Sequence, residues 1–442
     1  MASNLTKVTM LRAVQSRGFC QAAPIGGIAN YDVQTSILPN KTVVASGENG
    51  SAICRVSVVF KAGSRNESFD NAGAAHVLRI AAGQSTSNAT NFSIMRNIQQ
   101  VGANLTCWAN RENVGYTLEG TRNAVEQVMP FLTEVATKQV FKPWELSDNI
   151  NRIKLELATR PPQLRAIDLL HKAAYRRGLG NSLYIAKHQI GKIGSETLQH
   201  YVASNFLSGR AAVIGVGVDH DSLAQYAQGL ELETGDGHVE KSPYMGGEIR
   251  SDKGGNMAYF AIGTESVGYS DLKQGLAFAV LKCCLGNGTS AKPWGSESAA
   301  VLSKAVGEGE HAIAAFNVQY SDSGLFGVLG VAKAKDAGKL VEAAVKTLES
   351  GSVSDADVNR GKNQLKRRIL TKLENGFKAS YYFSEQALLR GEVLSSSDMA
   401  AAIESVTTED VNQAAQAIAG KKLSIAAVGN LQSVPFLDQL TN

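Results

Sequence analysis

The 442-residue chain has no apolar run of 18 or more residues, the length that a membrane-crossing helix needs. The two nearest candidates fail on polarity: Lys282 cuts the run 275–285, and the run 313–331 carries Asn317, Gln319 and Asp322. Membrane association is therefore expected to be indirect, through partners. Cysteine is also scarce. Cys20, Cys54, Cys107, Cys283 and Cys284 form no C-x-x-C pair, and so odd and scattered a set excludes a disulfide framework and fits a reducing compartment. There is no haem-attachment C-x-x-C-H, no cluster of cysteine ligands, and no glycine pattern of a dinucleotide site or P-loop. No cofactor is expected.

Acidic residues are absent before Asp32, whereas Lys7, Arg12 and Arg17 stand among Met, Leu, Val, Ser and Ala. That is the composition of a mitochondrial targeting peptide, expected over residues 1–30 with removal near Arg17, Phe19 and Cys20. The alternative is an N-terminal tail with no targeting role. A secretory signal fits worse, because the three cations interrupt any apolar core. They also supply most of the net charge of +4, and the nearly neutral remainder gives no basis for nucleic-acid binding.

What is present is a soluble globular composition, 44% hydrophobic and 19% charged, in a chain too long for one ordinary core. The chain also repeats itself. YTLEGTRNAVEQVMPFLTEV from Tyr116 resembles FGVLGVAKAKDAGKLVEAAV from Phe326, an offset of 210. Further on, the strand ending at Gly217 matches the one ending at Gly429, an offset of 212. Two matches in nearly one register point to an internal duplication. The Gly-rich, charged stretch 229–256 reads as a linker between halves at 31–228 and 257–442.

Each half shows the same order of elements. Apolar, β-branched runs (53–62; 257–264) precede a helix (72–82; 271–285), then two alternating strands (102–109 and 114–120; 312–320 and 326–332). Long amphipathic helices follow at 143–159 and 354–374, and a short helix and a last apolar strand close each half. Strand pairs followed by helices predict an α+β fold, with antiparallel sheets carrying helices on one face.

The segment GAAHVLRIAAG from Gly73 resembles the helix of an inverted zinc-peptidase motif, H-x-x-E-H. In that motif histidines at i and i+4 share a helix face and reach one Zn²⁺, and the Glu activates a metal-bound water. Aligned on His76, the template requires Glu at 79 and His at 80; this chain has Arg79 and Ile80. Isoleucine has no donor atom and arginine is always protonated, so a ligand and the general base are both lost. Glu156 lies where the distant third ligand is expected, which leaves at most two ligands of three. The helix 271–285 contains neither His nor Glu, and His171 and His188 have no ligand spacing to His76. Neither a metal site nor a catalytic residue is expected, and His76 is read as a core residue.

With this motif, the segment PPQLRAIDLLHKAAYRRGLGNSLY from Pro161 and the closing strand AAVIGVG, the sequence resembles the insulinase or pitrilysin type of zinc metallopeptidase. The resemblance is strongest to its mitochondrial branch, the subunits of the matrix processing peptidase and the core proteins of respiratory complex III (ubiquinol-cytochrome c reductase). It implies two homologous halves enclosing a cavity, and a non-catalytic structural subunit at the matrix side of the inner membrane. The implied partners are core protein 1 in a heterodimer, with cytochrome b, the cytochrome c-type and Rieske iron-sulfur subunits and small matrix-side subunits nearby, in a complex that is itself a dimer. The alternative is the α-type, presequence-recognising subunit of the processing peptidase, which also lacks the full motif. That chain carries a flexible glycine loop, whereas 285–298 here holds Lys292, Pro293 and Trp294 among three glycines. The basic run Lys362–Arg368 is read as a solvated face, with acidic partner surface or anionic lipid head groups as the alternative, and Tyr381, Tyr382 and Phe383 as core rather than a stack for a bound peptide.

Overall fold

A computed structural model of the chain describes residues 31–237, 240–288, 300–307 and 309–440. The expected targeting peptide, with Arg17, Phe19 and Cys20, and most of the loop 285–298 lie outside them. Among the described residues two sheets carry the fold. The first comprises β1 (Asp32–Ile37), β2 (Val43–Glu48), β3 (Ile53–Phe60), β4 (Asn104–Ala109), β5 (Val114–Thr121) and β6 (Ala211–Val216), in the order β1-β2-β6-β3-β5-β4. The second comprises β7 (Gly247–Asp252), β8 (Met257–Ser266), β9 (His311–Gln319), β10 (Gly324–Lys333) and β11 (Ser424–Gly429), in the order β7-β11-β8-β10-β9. The second order reproduces the first without β1. In each sheet one pair runs parallel, β2 with β6 and β7 with β11, and the other pairs are antiparallel.

This correspondence changes the reading of the segment 229–256. Its last part is β7, which matches β2 in pairing parallel to the closing strand of its half and, with no counterpart of β1 beside it, forms the sheet edge. Glycine and charge at 246–256 read as linker because an edge strand with no fully buried residue carries no apolar signal.

The helices that matter here are α1 (Ala74–Ile80), α2 (Arg122–Thr137), α3 (Ile150–Thr159), α4 (Pro162–Tyr175), α5 (Leu272–Leu285), α6 (Ala337–Glu349), α7 (Asp355–Glu374), α8 (Gly376–Arg390) and α9 (Thr408–Ile418). The helix expected at 143–159 is two helices, Pro143–Asp148 and α3. The Asn149 side chain donates to the Glu145 carbonyl at 2.9 Å, a local bond that competes with helix continuation.

Each half packs its own helices on one face of its sheet: α1 and α2 under the first, α5, α6 and α9 under the second. The opposite face of each sheet is covered by one helix from the other half. Ala379, Phe383 and Ala387 of α8, spaced four apart on one stripe, pack on Val59, Ala212, Ile214 and Val216 of the first sheet. Ala166, Leu170 and Ala174 of α4, with the same spacing, pack on Ala261, Ala426 and Val428 of the second. The central strands β6 and β11 are therefore buried on both faces and alternate between two cores, Val213 or Ile425 pointing one way and Ile214 or Ala426 the other. Burying Leu170 or Phe383 in this way stabilises the fold by roughly 2–3 kcal/mol each.

Polar contacts lock the exchange. Ser57 Oγ lies 2.8 Å from both Thr117 Oγ1 and Ser380 Oγ, and the Tyr175 hydroxyl donates to the Gly324 carbonyl at 2.9 Å. The buried Arg65 guanidinium donates to Glu112 Oε1 and Asp322 Oδ1, both at 2.7 Å, to Asp322 Oδ2 at 2.5 Å and to the Glu240 carbonyl at 2.9 Å. It thereby joins the first half, the connecting segment and the second half through a forked, charge-assisted contact.

Two outcomes follow from this packing. Leu170→Ala should destabilise the chain by about 2–5 kcal/mol in denaturant unfolding, and native-state hydrogen exchange should show the protection lost in β8 and β11 of the other half; loss confined to residues around α4 would contradict the exchange. Arg65→Met leaves Glu112 and Asp322 without their cation and should cost about 3–5 kcal/mol, whereas an unchanged unfolding midpoint would show that the ion pair contributes nothing.

Candidate functional site

The site is built on α1, and its start is set by backbone geometry. Gly73 caps the helix with φ of +98°, a left-handed conformation that favours glycine, and a side chain there would meet Ile185 Cβ at 2.7 Å. Because glycine brings no capping side chain, the buried Glu67 supplies one from outside the helix. Its carboxylate accepts from the Gly73 and Ala75 amides at 2.7 and 2.8 Å. Burial still dominates at that position and pushes the Glu67 carboxyl up to about 8. Ala74, Ala75, Val77, Leu78 and Ile80 are buried, so the helix is held by packing along most of its surface.

Three of the four motif positions come together. The Arg79 guanidinium donates to Glu156 Oε1 at 2.5 Å, and His76 Nε2 lies 3.5 Å from Glu156 Oε2, an electrostatic contact rather than a hydrogen bond. His76 Nδ1 accepts from the Ile185 amide at 3.2 Å, which places the proton of a neutral ring on Nε2, facing Glu156. Tyr184 meets the His76 ring edge-on at 5.4 Å between centroids, and Arg160 lies over Tyr184 at 4.1 Å. Ile80, the fourth position, is 2% exposed and points into the core of the first half.

The electrostatics follow from these neighbours. Burial is the largest influence on His76 and pushes its ring below the usual histidine range; Glu156 pulls upward, and Arg79 and Arg160 add to the downward push. Partial burial raises the Glu156 carboxyl, but the Arg79 hydrogen bond and charge, helped by His76, outweigh it and leave Glu156 below the usual carboxylate range.

These residues do not fit a zinc ion. A catalytic zinc site needs three protein ligands and an open position, whereas here one ligand position is an aliphatic side chain and the remaining carboxylate is engaged by a guanidinium. Arg79 satisfies the charge of Glu156 that a metal would otherwise satisfy. Among the described residues no three His, Cys, Asp or Glu side chains converge as a metal site. His171 stands elsewhere, between the halves, accepting from the Tyr320 hydroxyl at 2.8 Å while its Nδ1 meets the Ile167 carbonyl; burial pushes it down to about 3. His188 is exposed on a short 3-10 turn. The sequence reading missed Glu67, Arg160 and Tyr184, whose roles depend on contacts across the fold and leave no local spacing signal.

Arg79→Met should raise the Glu156 pKa toward its ordinary value and remove a stabilising pair. Since the folded pKa lies below the unfolded one, the contribution of the pair is present above the unfolded value and lost as pH falls through the folded one. The stability gap between wild type and variant should therefore be full at neutrality and shrink as pH drops below about 4. Denaturant midpoints measured across that range check this, and a gap independent of pH would contradict it.

Comparison with known proteins places this geometry. Residues 43–187 match the model of Insulinase (Peptidase family M16), and residues 192–365 that of the Peptidase M16 inactive domain. The mitochondrial cytochrome b-c1 complex subunit 2 of Mus musculus is 39% identical over 431 residues, 95% of this chain and 94% of that protein. The probable mitochondrial-processing peptidase subunit alpha-1 of Arabidopsis thaliana is 26% identical over 423 residues, 93% of this chain and 84% of that protein. In fold, the chain is similar to one in the solved structure of complex III2 from Candida albicans with Inz-5 bound, with a TM-score of 0.81 at 19% identity over 92% of this chain and 98% of that one. A relative this similar over nearly the whole chain, with two family models in tandem, shows that the chain belongs to the M16 peptidase family, alongside the subunit 2 proteins of the mitochondrial cytochrome b-c1 complex.

Proposed function

We propose that this chain is a non-catalytic core subunit of mitochondrial ubiquinol-cytochrome c reductase, a peptidase fold kept as a scaffold that supports electron transfer from ubiquinol to cytochrome c and proton translocation by the complex. The observation that carries the reading is the Arg79–Glu156 pair at 2.5 Å, which occupies the carboxylate of a metal motif that has also lost its base and a histidine. Whole-chain similarity to subunit 2 proteins of that complex supplies the context. No helix among the described residues is long and apolar enough to cross a membrane, in keeping with a peripheral place on the matrix side. The first half at 31–228, a second half that begins with β7 at Gly247 rather than at 257, the segment between them and a targeting peptide over 1–30, removed near Arg17, Phe19 and Cys20, belong to this proposal.

The partners are core protein 1, in a heterodimer, and the cytochrome b, cytochrome c-type, Rieske and small matrix-side subunits of a dimeric complex. Leu155 on the Glu156 helix, and Trp144 and Leu164 on the helices before and after it, are exposed, apolar side chains of the kind that protein contacts use. The α-type processing-peptidase reading is weaker, because the identity to such relatives is 26–27% against 38–39% for subunit 2.

Native gel electrophoresis of detergent-solubilised mitochondria should show this chain comigrating with cytochromes in stoichiometric amount, by mass spectrometry of the band. Its recovery as a free matrix protein, or its restoration of presequence cleavage when added to a zinc-bearing processing subunit, would overturn the proposal.

A further inference from the structure

The duplication gives the degenerate metal site a counterpart in the second half. Helix α5 follows β8 as α1 follows β3, and Lys282 sits about one turn before its end, as His76 does on α1. Helix α7 corresponds to α3, and the duplication register brings Arg367 and Arg368 to the place of Glu156. Where the first half gathers a histidine and a carboxylate, the second gathers cations around a cavity of about 280 Å³. Lys282, Arg368 and Lys372 line it, with Gln319 of β9 and an apolar wall that includes Leu365 and Ile369. A neighbouring cavity of about 290 Å³ shares Lys282 and Arg368 and adds Arg367.

The charges in this pocket are poorly matched. The Lys282 ammonium has no hydrogen-bond or ion-pair partner among the described residues. Arg368 is oriented by Asn287, whose Oδ1 accepts from its guanidinium at 2.5 Å, but that partner is neutral. Gln319 Nε2 is buried, lines the cavity and has no acceptor. Of the two acids in the lining, Asp271 caps α5 by accepting from the Gln274 amide at 3.0 Å, and desolvation raises the half-buried Glu385 carboxyl against the pull of Tyr381 and the Lys372 charge. Burial first, and then the charges of Arg368 and Lys372, hold Lys282 down to about 8. Such mutual repulsion among cations is relieved by an anion placed between them.

We infer that this pocket binds a small dianion, a phosphate monoester or a dicarboxylate, with the Arg368 guanidinium and the Lys282 and Lys372 ammonium groups as its donors. A planar guanidinium presents the fork that matches two oxygens of such a ligand, and the ammonium groups add point charges that lack a geometric preference. The cavity falls just under the usual size of ligand sites, which suits a small anion better than a folded partner. The inference stands independently of the assembly proposed above.

The full chain should be titrated calorimetrically at low ionic strength with inorganic phosphate and, separately, with malonate. The expected result is one saturable site per chain for at least one of them, weakened by salt and by about tenfold or more in Arg368→Gln and in Lys282→Met; the tighter of the two identifies the class of dianion. Saturable binding of neither, or equal binding by both variants, overturns the inference. A readout on the wild type alone guards against misfolded variants: phosphate or malonate should slow acylation of Lys282, followed by mass spectrometry, and unchanged labelling at high concentrations of both anions would also overturn it.

Discussion

Two sheets, each buried on both faces, depend on a trade of helices. A strand such as β6 or β11, whose residues alternate between two apolar cores, has no solvent side on which to rest. One core comes from its own half and the other from a helix supplied by the opposite half. The stripes that do this are nearly the same, Ala-Leu-Ala on α4 and Ala-Phe-Ala on α8, each with one large side chain between two small ones. The small residues let the helix approach the sheet closely, and the large one fills the space between strands. Neither half can bury its central strands alone, so the duplicated chain is one cooperative unit, with Arg65 fastening its middle.

That dependence separates the constraints on the fold from those on catalysis. Most of α1 faces the core, and its buried residues are needed whether or not a metal is bound. Ile80 shows the difference: an apolar side chain at a former ligand position adds to the core. Arg79 meets the other requirement, since a partly buried carboxylate without a cation is costly. A fold can therefore lose its metal without losing its architecture, provided that the charge left behind finds a partner.

Much of this was legible in the sequence, because the signals were local. Alternation at 114–120, helical spacing at 271–285 and the offset of about 210 residues follow from periodicity and self-similarity. The two departures from the motif are local as well, Arg79 at the position of the base and Ile80 at that of a ligand. The destination of an amphipathic helix was not legible: the face 166-170-174 says that α4 is buried, but not under which sheet. Arg65 and Asp322 lie more than 250 residues apart, and nothing in either neighbourhood announces the other. The edge strand β7 was hidden for the opposite reason, since its glycine and charges imitate a linker. Sequence periodicity reports how an element is buried, and long-range pairing decides against what.

The position of α8 in the chain also bears on how the protein is made. The first sheet is complete in sequence at Val216, yet the helix that covers its outer face begins at Gly376. Roughly 160 further residues must emerge before Phe383 is available, about 10–30 s at ordinary rates of synthesis. For that interval the apolar row of Val59, Ala212, Ile214 and Val216 has no native cover. A chain threaded through a membrane pore meets the same order of arrival. The trade of helices that unites the mature molecule thus makes its nascent N-terminal half a client for chaperones, and makes a product truncated before α8 the form most prone to aggregate.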